Sequence, residues 1–292
     1  MLELSNGPVT LLLAPETGGA IARLRWHEHE LLRHVDDDAL ASGNARRLGM
    51  FPLAPYSNRI GGGTLALGQK AWSLRHNVEG EAHSMHGFGW QRAWSVSHHD
   101  RRSATIKLHH EPDADWPFRC HVKQRLTLHE DGLHVQLMLA NDGGEPMPAG
   151  LGFHPYFART AGTRLQVEWA GRWEMDERKL PTRWERVSER DDFRGARAIG
   201  DWRTDHCYTG WTGTAILDYG SYTVTVSADA DCSRLVCFVP DDGRMLVALE
   251  PVSHVNNAFA LAQQGEHHTG LRVLLPGECM SLAMLIKVDG AR

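Results

Sequence analysis

The 292-residue sequence contains no long hydrophobic run and no basic leader. Its first residues, Met1 to Ser5, include no lysine or arginine. The apolar stretch from Val9 to Leu13 is far shorter than the roughly 20 residues that a membrane-spanning helix needs. We therefore expect neither a signal peptide nor a membrane span, and cytoplasmic residence is the default expectation.

Cysteine is scarce, and there is no excess of positive charge. The cysteines are odd in number, in a chain large enough to fold without disulfides, so we expect reduced thiols. No Cys-x-x-Cys or His-Glu-x-x-His spacing occurs, so we expect neither a metal site nor a cofactor bound through one. The net charge of -5 provides no basic surface for nucleic acid or an anionic membrane. The five cysteines are Cys120, Cys207, Cys232, Cys237 and Cys279.

Helical periodicity, internal repeats and flexible linkers are also missing. Instead, short segments of alternating polarity follow one another between turn signals, as in Cys120–Leu128 and Leu133–Asn141. This spacing predicts an all-β chain, a large antiparallel β-sandwich forming a single domain over residues 1–292. The exception is the densely charged stretch 172–197, which we predict to be a long irregular excursion over the surface.

The stretch from Leu246 to Pro251 carries the first candidate catalytic residue. Strand alternation places Glu250 on the same face as Leu246 and Ala248, so the carboxylate continues an apolar row. Because Pro251 has no N–H for the sheet, we expect the strand to end there and leave Glu250 at the mouth of a cleft. Partial desolvation would raise its pKa and make it a competent general base. An edge carboxylate that happens to end a strand is the alternative.

A second stretch, Ala149–Phe157, offers a partner for Glu250. Here Gly150, Gly152 and His154 share one face, and paired glycines usually mark a place where another group approaches the backbone. We therefore expect open space beside His154 on this face. A glutamate and a histidine at two such strands could form an acid and base pair near neutral pH, although a purely structural histidine fits the same letters.

Three further polar residues are candidate ligand-binding groups. Arg59 is the only cation in a loop rich in proline and glycine, where it could bind sugar hydroxyls or a carboxylate, or simply pair with a surface acid. His86 stands beside a Gly-x-Gly turn between aromatic residues, which suits a hydroxyl-rich ligand with an apolar face, or a tight hairpin. Asp205 precedes a histidine at the start of a predicted ordered segment.

Together these segments resemble the aldose 1-epimerases, or mutarotases, in their order along the chain. The similarity implies a galactose-mutarotase-like β-sandwich, no cofactor and a small-molecule sugar as the partner. The stretch after His86 differs from that of the best-known galactose enzymes, so the resemblance does not imply galactose itself. The matching segments are Asn58-Arg59-Ile60, Met85-His86-Gly87-Phe88, Gly152–Phe157, Asp205-His206, and Leu249-Glu250-Pro251 followed by Asn257-Ala258-Phe259.

Carried over residue by residue, the resemblance implies that Glu250 is the general base and His154 the general acid. Arg59, His86 and Asp205 match ligands of sugar hydroxyls. The predicted function is interconversion of the α and β anomers of a hexose or related aldose.

Two alternatives stay open. One is a sugar-phosphate mutarotase, for which arginines outside the matched segments could supply cations. The other is a non-catalytic carbohydrate-binding protein on the same fold. The available arginines are Arg46, Arg47, Arg75 and Arg92.

Overall fold

A computed structural model describes residues 1–290, and about 51% of the chain is strand against 8% helix. The predicted all-β class is therefore confirmed. In the first half of the chain the strands are β1 (Leu2–Asn6), β2 (Val9–Ala14), β3 (Ala20–Trp26), β4 (His29–Glu30), β5 (Met50–Leu53), β6 (Arg59–Ile60), β7 (Thr64–Leu67), β8 (Lys70–Ser73), β9 (Ser84–Met85), β10 (Ser95–His99), β11 (Ser103–His110), β12 (Cys120–His129), β13 (Gly132–Asn141) and β14 (Met147–Ala149).

The second half contributes twelve more strands and the longer of two short α-helices. The helices are α1 (Asp37–Ala41) and α2 (Ala258–Gln263). The remaining strands are β15 (Gly152–Ala158), β16 (Arg164–Val167), β17 (Gly171–Met175), β18 (Pro181–Arg186), β19 (Phe193–Ala198), β20 (Thr204–Thr209), β21 (Thr214–Asp218), β22 (Tyr222–Ala228), β23 (Arg234–Val239), β24 (Leu246–Val252), β25 (Arg272–Leu274) and β26 (Cys279–Gly290). Four single turns of 3-10 helix lie at Ala45–Arg47, Gly61–Gly63, Gly89–Gln91 and Glu189–Asp191.

Two large antiparallel sheets form the predicted sandwich. The first has 11 strands in the order β1-β2-β3-β5-β15-β24-β23-β20-β17-β18, with β4 paired to β3. The second has nine strands in the order β10-β11-β12-β13-β26-β22-β21-β16-β19. Alternate side chains of both sheets, such as Phe153 and Leu249 from the first and Val135 and Ile286 from the second, belong to one fully buried cluster. This cluster is the core between the layers.

The charged stretch 172–197 is not the irregular excursion predicted from its composition. It contains part of β17 and all of β18, and most of β19. β17 and β18 lie at one end of the first sheet and β19 at one end of the second. The outermost strands, β18 and β19, have only one paired neighbour each, and such strands often carry charged side chains, so their apolar alternation is weak. That is why the sequence pattern concealed them.

Candidate active site

The two candidate catalytic residues lie opposite each other on neighbouring strands. β15 and β24 pair in register at Gly152–Val252 and at Tyr156–Ala248, which places His154 across from Glu250. The His154 Nε2 atom is 3.2 Å from Glu250 Oε1. Because their chain neighbours Phe153 and Leu249 point into the core between the sheets, the pair projects from the opposite, outer face of the first sheet.

Glu250 lies at the floor of this site and not at its mouth, so the expected position was wrong. β24 continues through Pro251 to Val252, and β15 continues through Pro155 to Ala158. Proline's fixed φ is compatible with an extended chain, and each proline removes only one sheet donor. Glu250 is consequently 2% exposed, and His154 is 7% exposed.

Burial shifts the pKa values of the two members of this pair in opposite directions. Desolvation, reinforced by the charge of Asp205, raises the pKa of Glu250 well above its ordinary value, and Arg59 opposes this only in part. Desolvation, followed by the charges of Arg33 and Arg46, lowers the pKa of His154 to about 3. At neutral pH the His154 imidazole is therefore neutral, and burial disfavours the ionised form of the Glu250 carboxyl group.

Each member of the pair also has a polar atom with no partner. Among the described residues, neither Glu250 Oε2 nor His154 Nδ1 makes a hydrogen bond, although both atoms are buried. Buried polar atoms without partners cost free energy, and native proteins contain few of them. Two in one pair mean that these atoms remain available for hydrogen bonds to water or to a bound ligand.

His86 is held beside the pair by an unusual backbone. Its φ is 60°, and its Nδ1 atom accepts a hydrogen bond from the Asn58 N–H at 3.0 Å. Because Nδ1 accepts, the neutral ring carries its proton on Nε2 and can donate from there. The ring centroid lies 5.4 Å from that of His154. The next residue must be glycine, since a Cβ on Gly87 would lie 2.2 Å from the Ala54 carbonyl oxygen.

Arg59 is held by a carboxylate that no sequence pattern singles out. Glu81 Oε2 accepts hydrogen bonds from Arg59 Nε and Nη2 at 3.2 and 3.0 Å. The pair is not an ordinary surface ion pair, because the Arg59 side chain is only 15% exposed. Its charge also reaches Glu250. Glu81 therefore holds the guanidinium group at the edge of the site, with donors left over for a ligand.

Asp205 lies on the same face of the first sheet as Glu250, two strands away from it. It pairs with Phe238 of β23, which in turn pairs with Ala248 of β24. Asp205 therefore shares a face with Glu250, and its charge raises the pKa of that group. Its side chain is 31% exposed and lies 3.7 Å from Lys179 Nζ. This exposure places Asp205 near the opening, so the structure brings all five predicted residues to one face.

Two residues of the site were missed at the sequence level. Phe51 pairs with His154 across β5 and β15, and its ring centroid lies 4.5 Å from that of the imidazole. Glu81 holds Arg59 as described above. Phe51 belongs to the same proline-rich and glycine-rich loop segment as Arg59, but which face it takes depends on strand pairing. Glu81 stands in an unremarkable polar stretch with no signal of its own.

The space beside Gly150 is occupied by another side chain, although open space was expected there. A Cβ on Gly150 would lie 2.0 Å from His254 Cδ2, so the imidazole takes the space that glycine leaves. His254 Nε2 accepts from the Ser57 N–H at 3.1 Å, and its Nδ1 donates to the Val255 carbonyl oxygen at 2.8 Å. The buried ring thus anchors the loop that continues into Asn58 and Arg59.

Replacing Gly150 with alanine is expected to destabilise the protein by about 1–3 kcal/mol, the usual cost of overpacking a core. The added methyl group must displace the His254 ring, which cannot move without losing both hydrogen bonds. Chemical denaturation measures the change. Gly144→Ala is the matched control, because a Cβ there meets nothing within 4 Å. Equal stability of the two variants would contradict the described packing.

Two classes of feature are missing from residues 1–290. No group of three or more histidine, cysteine or acidic side chains is arranged to hold a metal ion. No helix in this range has the length and apolar character to cross a bilayer. All five cysteines are free; Cys279 is exposed and the other four are buried.

A buried carboxyl group with a raised pKa and a buried imidazole with a lowered pKa lie 3.2 Å apart in this site, with the hydrogen-bond donors of His86 and Arg59 nearby. This arrangement is typical of enzymes that move protons on a polyhydroxylated ligand. Comparison with known families agrees with this class. The family model for aldose 1-epimerase matches residues 1–287, so the chain belongs to the aldose 1-epimerase family.

Several relatives extend this result over almost the full length. The chain is 28% identical to the uncharacterized protein YphB of Escherichia coli K12, covering 98% of both chains. It superposes with a TM-score of 0.89 on a crystal structure described as a putative aldose 1-epimerase from Escherichia coli K12, at 28% identity over 99% of this chain and 98% of that one. A galactose mutarotase-like protein from Clostridium acetobutylicum has the same fold, with a TM-score of 0.86 at 18% identity over 99% and 95% of the two chains.

Proposed function

We propose that this protein is an aldose 1-epimerase that interconverts the α and β anomers of a hexose or related aldose. The observation that supports this most directly is the contact between His154 Nε2 and Glu250 Oε1, 3.2 Å apart on the outer face of the first sheet. Both groups have a buried atom without a hydrogen-bond partner. They can therefore act on two adjacent atoms of one pyranose, the C1 hydroxyl and the ring oxygen.

The reaction needs one proton removed from the C1 hydroxyl and one delivered to the ring oxygen. Glu250 takes the first and His154 gives the second, so that the C1–ring oxygen bond breaks and an open-chain aldehyde forms. Rotation about C1–C2 turns the other face of the aldehyde towards the ring-closing hydroxyl. Closure then returns both protons by the reverse path. No covalent bond to the protein is required, and each proton transfer typically contributes about 10²–10⁴-fold.

The cycle begins with Glu250 ionised and His154 protonated, whereas burial disfavours the charged form of each group. The two side chains are 3.2 Å apart, so each charge stabilises the other. A C1 hydroxyl that donates to the carboxylate stabilises its charged form, and a ring oxygen that accepts from the imidazolium stabilises the other charge. Sugar binding therefore favours the form with an ionised Glu250 and a protonated His154, because the sugar makes hydrogen bonds to both charged groups.

The remaining residues hold the sugar and the open chain. His86 Nε2 and the guanidinium of Arg59 are donors for ring hydroxyls, and Asp205 accepts from hydroxyls near the opening. Phe51 does not reach the polar atoms; it packs against the His154 ring and limits its orientation. Holding the aldehyde in place makes reclosure faster than escape. We place this activity in the cytoplasm, in keeping with five free cysteines, one of them exposed.

The test is to follow fresh pure anomers of glucose, galactose and their 6-phosphates by anomer-resolved NMR in weak buffer. An aldose 1-epimerase accelerates equilibration of at least one of them far above the buffer rate. The competing proposal, a carbohydrate-binding protein on the same fold, predicts saturable binding with no acceleration. The strongly raised pKa of Glu250 favours the enzyme, since a site that only binds a sugar does not need such a carboxyl group.

A further inference from the structure

The charges around the candidate active site are balanced on one side and unbalanced on the other. On one side Arg59 pairs with Glu81, and Lys179 lies near Asp205. On the other side, beyond Tyr156, stand Arg33 and Arg46. Neither of these two arginines has a carboxylate within 4 Å in the part of the chain that the structure describes.

Arg33 lies one aromatic ring away from the catalytic pair. Its Cζ atom is 4.0 Å from the centre of the Tyr156 ring, and that ring lies 4.4 Å from the His154 ring. Its Nε donates to the Leu48 carbonyl oxygen at 2.9 Å, and its Nη2 donates to the carbonyl oxygen of Arg46. Arg33 is therefore held rigidly by neutral acceptors, and its positive charge stays uncompensated.

Arg46 approaches the same area from the 3-10 turn Ala45–Arg47. Its Cζ atom lies 6.0 Å from the Trp90 ring, which packs against Phe51, the ring that covers His154. The side chain of Arg46 is exposed, and no hydrogen bond holds it. Its charge nevertheless lowers the pKa of both His86 and His154. Because the exposed guanidinium group makes no hydrogen bond within the described part of the chain, its donors are free to bind a ligand.

Four other arginines considered for this role have carboxylate partners. Arg47 lies 3.9 Å from Asp36, and Arg244, which reaches the Phe238 ring, is paired with Asp242 at 2.8 Å. Arg75 and Arg92, which the sequence also offered, pair with Asp115, so they are not available. Among the arginines beside the His154 end of the site, Arg33 and Arg46 are therefore the ones without a carboxylate partner.

We propose that Arg33 and Arg46 form an anion subsite beside the catalytic pair, and that the natural substrate is an aldose bearing an oxyanion group, a phosphate or a carboxylate. This inference rests on the proposed function. Guanidinium groups bind such oxyanions with two parallel hydrogen bonds. Arg33 supplies a charge held in place by backbone carbonyls, and Arg46 supplies an exposed guanidinium group with free donors.

The subsite also bears on catalysis. The two positive charges oppose protonation of His154, which must become the acid. An anion placed between them offsets that repulsion and makes the imidazolium easier to form. A charged substrate would therefore help to activate the pair that acts on it, whereas a neutral sugar would leave the penalty in place.

The experiment compares kcat/KM for a hexose, its 6-phosphate and the corresponding hexuronate in the wild type, in Arg46→Gln and in the matched control Arg47→Gln. We expect the wild type to prefer one of the two charged sugars, and the preferred sugar identifies the oxyanion. Arg46→Gln is expected to reduce the ratio of charged to neutral kcat/KM about tenfold or more, the value of one charge-assisted hydrogen bond. Arg47→Gln is expected to leave this ratio unchanged. Arg46 suits the test because its side chain holds nothing in place.

Inorganic phosphate provides a readout that does not depend on turnover. Calorimetry is expected to show phosphate binding to the wild type and to Arg47→Gln, and about tenfold weaker binding to Arg46→Gln. Turnover of neutral and charged sugars with equal efficiency in all three proteins would overturn the subsite and leave the proposed function standing. Arg46-dependent phosphate binding without acceleration of any sugar would keep the subsite and overturn the proposed function. Absence of phosphate binding would also overturn the subsite.

Discussion

Glu250→Gln is expected to slow anomerisation about 100-fold or more and, at the same time, to raise the melting temperature near neutral pH. The amide has the size of the carboxyl group but cannot take the C1 proton, so the loss corresponds to one proton transfer. The rise in stability comes from the cost of burying the ionisable group. Function and stability therefore oppose each other at this residue.

The sign of the stability change follows from the direction of the pKa shift. Glu250 has a pKa well above its ordinary value of 4.5 in the folded protein, and desolvation is the main cause. Above pH 4.5 the unfolded chain ionises this group, and folding must put the proton back. That cost grows as the pH rises, until the folded group ionises too. Glutamine has no such cost, so the stability advantage of the variant is present at neutral pH and disappears near pH 4.

Polarimetry of a fresh pure anomer in weak buffer measures the rate, and melting curves between pH 4 and 8 measure the stability. The matched control is Glu145→Gln, an exposed carboxyl group that pairs only with Lys70 and is expected to change neither quantity appreciably. Full activity in Glu250→Gln would refute the assignment of Glu250 as the base. A lower melting temperature at neutral pH would contradict its strongly raised pKa.

The sequence contained enough information for the fold class and for the five candidate residues. Alternating strands are a local pattern, and the motifs around Glu250 and His154 are short and contiguous, so both could be read without tertiary information. Strand alternation also correctly placed Glu250 with Ala248 and His154 with Gly152. The ordered set of motifs identified the family, which the match over residues 1–287 confirms.

What the sequence could not supply depends on pairing between distant segments. A proline after Glu250 predicted a strand end, but β23 and β15 pair with both sides of β24, and the strand continues past it. The depth of the site followed from that continuation. Glu81 and His254 support their partners through contacts that span about 20 and 200 residues of chain, and such contacts leave no local pattern. The same holds for the charge imbalance around Arg33 and Arg46.

His154→Asn is expected to lower kcat/KM about 100-fold or more, and its pH profile distinguishes a catalytic from a structural role. The one-proton pair is the active form, and in the wild type it is lost at low pH when His154 takes a second proton. Because burial and the nearby arginines lower the pKa of His154 to about 3, this group is expected to cause a decrease in wild-type kcat/KM near pH 3 and no inflection near pH 6.5. In the variant, the pH profile of the residual rate is expected to lack the decrease at low pH that His154 causes in the wild type. If the role of His154 were only structural, the profile would keep its wild-type shape. An inflection near pH 6.5 in the wild type would mean that His154 titrates like an exposed histidine. That result would contradict a buried, neutral imidazole.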